Sequence, residues 1–223
     1  MKFEGLSRDM IAMRASREIK DGKYVNLGIG IPTLISNWIG DRDIILQSEI
    51  GMLKTGALAF GDDVDQDVIN ASCQPVIELP GASYFDIVES FSMIRGGYID
   101  VIVLGALQVN SKGDYAGWAN PARGLYGVGN IGGSMDLVAG AKKLIITMQH
   151  TTNEGRPKIV KRLTYPATTE GKVKMIFTDL AVIEVTPRGL LLKEIYPGLT
   201  PEDVQSVTAP KLIISPDLKE IEL

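Results

Sequence analysis

The chain has 223 residues, 45 % of them hydrophobic, enough to bury the core of one large α/β domain or two modest ones, and a single domain over 1–223 is expected. Its 27 acidic and 23 basic residues give a formal charge of -4 with no basic run that could track a phosphate backbone, which argues against nucleic acid as a partner but leaves phosphate-bearing coenzymes open. The single cysteine, Cys73, excludes an internal disulfide, and neither the N-terminus nor the longest apolar runs (101–107 and 144–147) have the length of a signal or membrane-spanning segment, so a soluble cytoplasmic protein is expected.

In chain order, a helix is expected over 7–20, opened by a capping serine and stopped at Asp21-Gly22. Next come a short buried strand in YVNLG, the glycine loop GIGIP at 28–32, and a brief helix in TLISNWIG. A second strand is DIILQSE at 43–49, and further strands are expected at 75–79, 99–104 and 143–148. Between them FDIVESFSMIRGG reads as a helix closed by paired glycines and SMDLVAGA as a shorter one. Strands alternating with helices predict an α/β fold whose mostly parallel sheet is covered by helices on both faces. The last third, MIFTDLAVIEVTPRGLLLKEI, turns at Pro-Arg-Gly and predicts an antiparallel C-terminal hairpin. Glycine-rich stretches at 113–133 and 151–157 are expected to be loops, where sites are commonly built.

Among residues able to do chemistry, Glu49 ends an apolar strand, and open α/β sheets place ligands outside that edge. On pattern alone, a strand-terminal glutamate pointing into water is the commoner case. GIGIP is not the dinucleotide fingerprint, because Thr33 stands where the third glycine belongs, and read alone it fits a tight structural turn equally well. The acidic stretch GDDVDQD at 61–67 lacks the closing glutamate of a calcium loop and reads as a solvated loop; no metal site is expected. Lys142-Lys143 and Lys161-Arg162 could meet phosphates but read as ordinary surface, and Cys73 has no partner base in view.

The run Gln47-Ser48-Glu49-Ile50-Gly51 resembles the Ser-Glu-Asn-Gly signature of the β half of family I, 3-oxoacid type, CoA transferases. The resemblance extends in order through GIGIP, Leu79-Pro80-Gly81, Met93-Ile94-Arg95-Gly96-Gly97, Leu104-Gly105-Ala106-Leu107-Gln108-Val109, Gly113-Asp114, Trp118 and Gly132-Gly133-Ser134-Met135-Asp136-Leu137. It implies the fold shared with ribose-phosphate isomerase and glucosamine-phosphate deaminase. It also implies transfer of CoA between carboxylic acids, a 3-oxoacid such as acetoacetate or 3-oxoadipate with succinyl-, acetyl- or butyryl-CoA, through a glutamyl-CoA thioester on Glu49. Coenzyme A is then a substrate, and no metal or redox cofactor is implied. Gly28 and Gly30 are candidate backbone surfaces for the CoA substrate, and Gly132 and Gly133 correspond to the family's glycine pair, whose second member, here Gly133, supports the thioester. A separate α subunit completing an α2β2 heterotetramer is also implied.

A carboxylate suits this chemistry because it is ionised at neutral pH without a helper base. Nothing in it needs an imidazole, so the one histidine, His150, is expected to be structural or to support the site from behind. The chain departs from the family at Ile50 and Gly117, where asparagines are usual, and in a longer loop before Gly132 in which Asn120 or Asn130 could supply a displaced amide. Open beside the transferase reading are a non-catalytic CoA-binding subunit, an acyl-CoA hydrolase or lyase on the same scaffold, and a sugar-phosphate isomerase or sensor.

Overall fold

The computed structural model describes residues 3–121 and 132–223, and its elements run as follows. The first half contains α1 (Arg8–Ser16), β1 (Lys23–Leu27), a 3-10 helix (Pro32–Trp38), β2 (Ile44–Ser48), β3 (Met52–Leu58), β4 (Val76–Tyr84), α2 (Ile87–Arg95) and β5 (Val101–Leu104). Then come β6 (Gln108–Asn110), β7 (Tyr115–Ala116), α3 (Ser134–Gly140), β8 (Lys143–Thr147), β9 (Ile159–Val160), β10 (Val173–Phe177), β11 (Ala181–Thr186), β12 (Gly189–Ile195), α4 (Pro201–Ser206) and β13 (Leu212–Glu220).

Ten strands form one sheet in the order β13-β12-β11-β10-β8-β5-β1-β2-β3-β4, and β7-β6-β9 form a small second sheet. The centre, β10-β8-β5-β1-β2, is parallel. Its strands are mostly apolar because both faces of the centre are covered. Val101 and Val103 face the core under α1 and the 3-10 helix, whereas Ile102 and Leu104 face the core under α2, α3 and α4. The expected hairpin is β11 with β12, antiparallel. Each fully buried isoleucine of this centre contributes about 2 kcal/mol through the area it removes from water.

Ser7 caps α1, its hydroxyl accepting from the Met10 N–H at 3.2 Å. The helix ends at Ser16, earlier than the sequence suggests, because Ser16 Oγ donates back to the Met13 carbonyl and Glu18 and Ile19 close tighter i to i+3 turns. Arg14 holds α1 to β12 through a two-pronged ion pair with Glu194, at 2.7 and 2.6 Å. Among the described residues no helix is long and apolar enough to cross a membrane.

β1 is followed in sequence by β2 on one side, while β5 pairs on its other side, so the chain reverses direction across the sheet between β1 and β5. Open α/β sheets bind ligands beyond the carboxyl ends of the strands at such a reversal. Glycine loops leave β1 and β5 at that edge, and Glu49 leaves the neighbouring β2 there.

Candidate active site

Glu49 occupies the first position of a three-residue turn, Glu49-Ile50-Gly51, that joins β2 to antiparallel β3 with Gln47 opposite Leu53 and Ser48 opposite Met52. Gly51 N–H donates to the Ser48 carbonyl at 3.1 Å and closes the turn. Gly51 has φ +128°, a conformation that side chains disfavour. The turn is fixed from outside as well, since Phe85 N–H donates to the Gly51 carbonyl at 3.0 Å just before Asp86 caps α2.

The Glu49 carboxylate is held from β1. Asn26, wholly buried, donates from its side-chain amide to Glu49 Oε2 at 3.1 Å and to the Gln47 carbonyl and Oε1, both at 3.2 Å. Gln47 in turn donates to Ser90 Oγ on α2 at 3.0 Å. A polar chain thus runs from α2 through β2 and β1 to the glutamate, and Asn26 Oδ1 is buried with no partner among the described residues. Asn26 went unread in the sequence and Gln47 was read only as part of the Glu49 motif, although an amide inside each of two largely apolar strands is the signal, since a buried polar side chain needs a partner.

Asn26→Asp removes the donor and sets a second carboxylate beside Glu49 without changing shape. We expect a loss of about 2 kcal/mol at pH 8. Two like charges raise the pair's affinity for a proton in the folded state, so the deficit shrinks as pH falls towards 5. Thermal unfolding at the two pH values measures this, and an equal deficit at both would exclude repulsion as the cause.

The glycines divide into different environments. Gly28 continues β1 along β5, donating to the Val103 carbonyl at 2.8 Å, and a Cβ there would meet Leu104 Cδ2 at 2.7 Å. Thr33 donates its hydroxyl to the Gly28 carbonyl at 2.8 Å, so the residue that breaks the dinucleotide fingerprint folds the loop back on itself. Gly30, at φ +100°, lines a cavity of about 570 Å³ at the carboxyl edge of the central strands, and Ile29 between the two glycines is 65 % exposed. Gly133 caps α3 against the Phe91 ring of α2, which a Cβ would approach to 2.4 Å, and Gly132 precedes it with φ +38°. Gly28, Gly30 and Glu49 therefore share one edge of the sheet, and Gly133 packs on the same helix that anchors the Glu49 turn.

Ile50 is 44 % exposed beside Glu49. At Gly117 a Cβ would lie 2.8 Å from Tyr115 Cε2, so an asparagine there requires that buried ring to move. Asn120 is half-buried and hydrogen-bonded or otherwise engaged, and Asn130 lies outside the described residues. The acidic stretch from Gly61 to Asp67 is exposed.

His150 is wholly buried, Nδ1 2.9 Å from Thr178 Oγ1 and Nε2 2.8 Å from Thr208 Oγ1. Both hydroxyls also donate to backbone carbonyls, Thr208 to Val204 at 2.7 Å and Thr178 to Ala181 at 3.1 Å, so the ring sits between two side chains that are themselves anchored. Burial, aided by the charge of Lys158, pushes the imidazole down to about 4, a neutral ring pinning the end of α4 to the sheet. With the folded value below the unfolded one near 6.5, stability falls as pH drops from about 6.5 through 4, by roughly 3 kcal/mol in all. Calorimetric midpoints across that range should show the slope, and His150→Gln should flatten it; an unchanged slope in the variant would assign it to other groups.

A family model described as coenzyme A transferase matches residues 8–206. The chain is 44 % identical over 214 residues to the B subunit of the 3-oxoadipate CoA-transferase of Acinetobacter baylyi, covering 96 % of this chain and 98 % of that one. It is 43 % identical over 201 residues to the B subunit of the succinyl-CoA:3-ketoacid coenzyme A transferase of Helicobacter pylori, covering 90 % and 96 %. Its fold matches an acyl-CoA transferase of Escherichia coli with a TM-score of 0.75 at 23 % identity, over all of this chain and 44 % of that one.

Proposed function

The chain belongs to the coenzyme A transferase family and is a transferase of the 3-oxoacid type, and from that premise we propose that Glu49 is the carboxylate that carries CoA between two acids. The observation that carries the reading is the placement of Glu49 on a glycine-closed turn at the ligand-binding edge, with Asn26 Nδ2 3.1 Å from its carboxylate.

In the first step a Glu49 oxygen attacks the thioester carbonyl of an acyl-CoA; the carbon–sulfur bond breaks, CoA leaves as thiolate, and a mixed anhydride remains. The thiolate then attacks the glutamyl carbonyl, the donor acid departs as carboxylate, and a glutamyl-CoA thioester is left. An acceptor carboxylate reverses both steps, so each bond broken is matched by one of similar energy. Asn26 holds the carboxylate by one oxygen, which leaves the other to attack. Developing negative charge on each carbonyl oxygen calls for fixed N–H donors. The backbone around Gly28, Gly30, Gly132 and Gly133 is our candidate for supplying them and for admitting the CoA substrate closely.

Both relatives named above are B subunits, which supports a partner subunit for this chain, with α2β2 as the proposed assembly and the cytoplasm as its location. Their names support 3-oxoadipate or another 3-oxoacid, with succinyl-CoA, as the substrates to try first. The test is borohydride trapping. The chain, with whatever partner co-purifies, is exposed to succinyl-CoA or acetoacetyl-CoA, reduced, digested and mapped. Reduction of Glu49 only in the presence of acyl-CoA is the expected result; an unmodified Glu49 across a broad acyl-CoA panel in the intact complex would overturn the reading.

A further inference from the structure

The cavity beside Gly30 holds charge that the glutamate chemistry does not use. It lies where β1, β5, β8 and β10 end, on the same edge as Glu49, which is not part of its lining. Lys158 and Arg8 both face it. Neither makes an ion pair among the described residues. Asp179, the one carboxylate among the described lining residues, is already committed. It accepts from the His150 N–H at 2.6 Å, and with the Gln149 amide turned so that its nitrogen faces Asp179, that nitrogen donates to both carboxylate oxygens at 3.2 and 2.8 Å. Thr147 also borders the cavity, but its hydroxyl is covered from solvent and stays out of a ligand's reach. Ile31, Leu180 and Val207 wall the cavity with apolar surface that weakens solvent screening.

A part-buried ammonium without a partner costs free energy that a bound anion would recover. Burial pulls Lys158 down to about 8 against the pull of Asp179, which still leaves it charged at neutral pH. With two cations against one carboxylate, the cavity is net positive, and about 570 Å³ is within the range of small-molecule sites.

We propose that this cavity is an oxyanion site in which Lys158 and Arg8 hold a carboxylate or phosphate group of one of the reaction's own substrates. The proposal rests on the transferase reading, which makes those substrates carboxylic acids and CoA. Two sources present the required chemistry: the second carboxylate of a dicarboxylic acid, and a phosphate of CoA.

Calorimetric titration of the chain with its co-purifying partner separates them, using succinate and adenosine 3′,5′-bisphosphate as probes on wild type, Lys158→Met and Arg8→Gln. We expect one probe to lose roughly tenfold in affinity in each variant, as for a charge-assisted hydrogen bond removed. A selective loss for succinate assigns the site to the acid, and one for the bisphosphate assigns it to CoA. Unchanged affinity for both probes, or no binding of either by wild type, overturns the proposal. Arg8 is exposed, so Arg8→Gln gives an answer even if Lys158→Met fails to fold. Failure of the Glu49 reading would look different: the wild type would bind a probe yet give no borohydride-trapped residue, whereas failure of the oxyanion site leaves trapping at Glu49 intact.

Discussion

Glu49→Gln is expected to abolish CoA exchange, by about a thousandfold or more, while the protein unfolds within about 1 kcal/mol of wild type. Glutamine still presents an oxygen to the Asn26 amide, so the bond at 3.1 Å and the chain through Gln47 to Ser90 survive. What it lacks is the anionic oxygen that forms the mixed anhydride. Glu49→Ala should be as inactive, and slightly less stable because Asn26 loses an acceptor. Glu49→Asp keeps the charge but draws it back by one methylene, and misplacement of that size costs about a hundredfold. Exchange rates with succinyl-CoA, read beside borohydride trapping, check all three. A glutamine variant that exchanged at wild-type rate would remove Glu49 from the chemistry, whatever its place at the sheet edge.

Much of this arrangement is legible in the chain because the parallel centre is buried on both faces and its strands are written as mostly apolar runs. YVNLG leading into a glycine loop and DIILQSE leading into Ile50-Gly51 mark both β1 and β2 and place Glu49 just past the end of the second. The wings are harder to read. β4 is an edge strand, mostly exposed, and carries Pro80-Gly81 within it; β13, at the other edge, carries Pro216. β3 is interrupted by Lys54 at φ +61° and is defined by its pairing with its neighbours more than by any alternation of its own. α4 had a signal that went unused: Thr200 and Asp203 form a capping box across Pro201. The site shows the same division. The nucleophile candidate stands in a motif, but its partner Asn26 lies 23 residues away and is joined to it only by the parallel register that sets Asn26 beside Gln47.

That dependence on the turn makes Gly51 the most exacting position in the site after Glu49 itself. A Cβ on Gly51 would sit 2.1 Å from the Phe85 carbonyl oxygen, a backbone atom, and the residue would still have to adopt φ +128°. Relief is blocked on both sides, since Phe85 N–H donates to the Gly51 carbonyl and Asp86 accepts from Glu89 N–H at 2.8 Å to start α2. Gly51→Ala is therefore expected to cost at least about 3 kcal/mol and to slow trapping at Glu49, because the turn that presents the carboxylate must open. Gly97→Ala supplies the comparison: its φ of +74° carries a strain penalty of about 1 kcal/mol, but a Cβ there meets nothing within 4 Å. Denaturant unfolding of the two variants separates clash from strain. If both lost the same stability and trapping stayed at the wild-type rate, the Glu49 turn would be soft enough to move, and the hold of Asn26 alone would have to account for how the carboxylate is aimed.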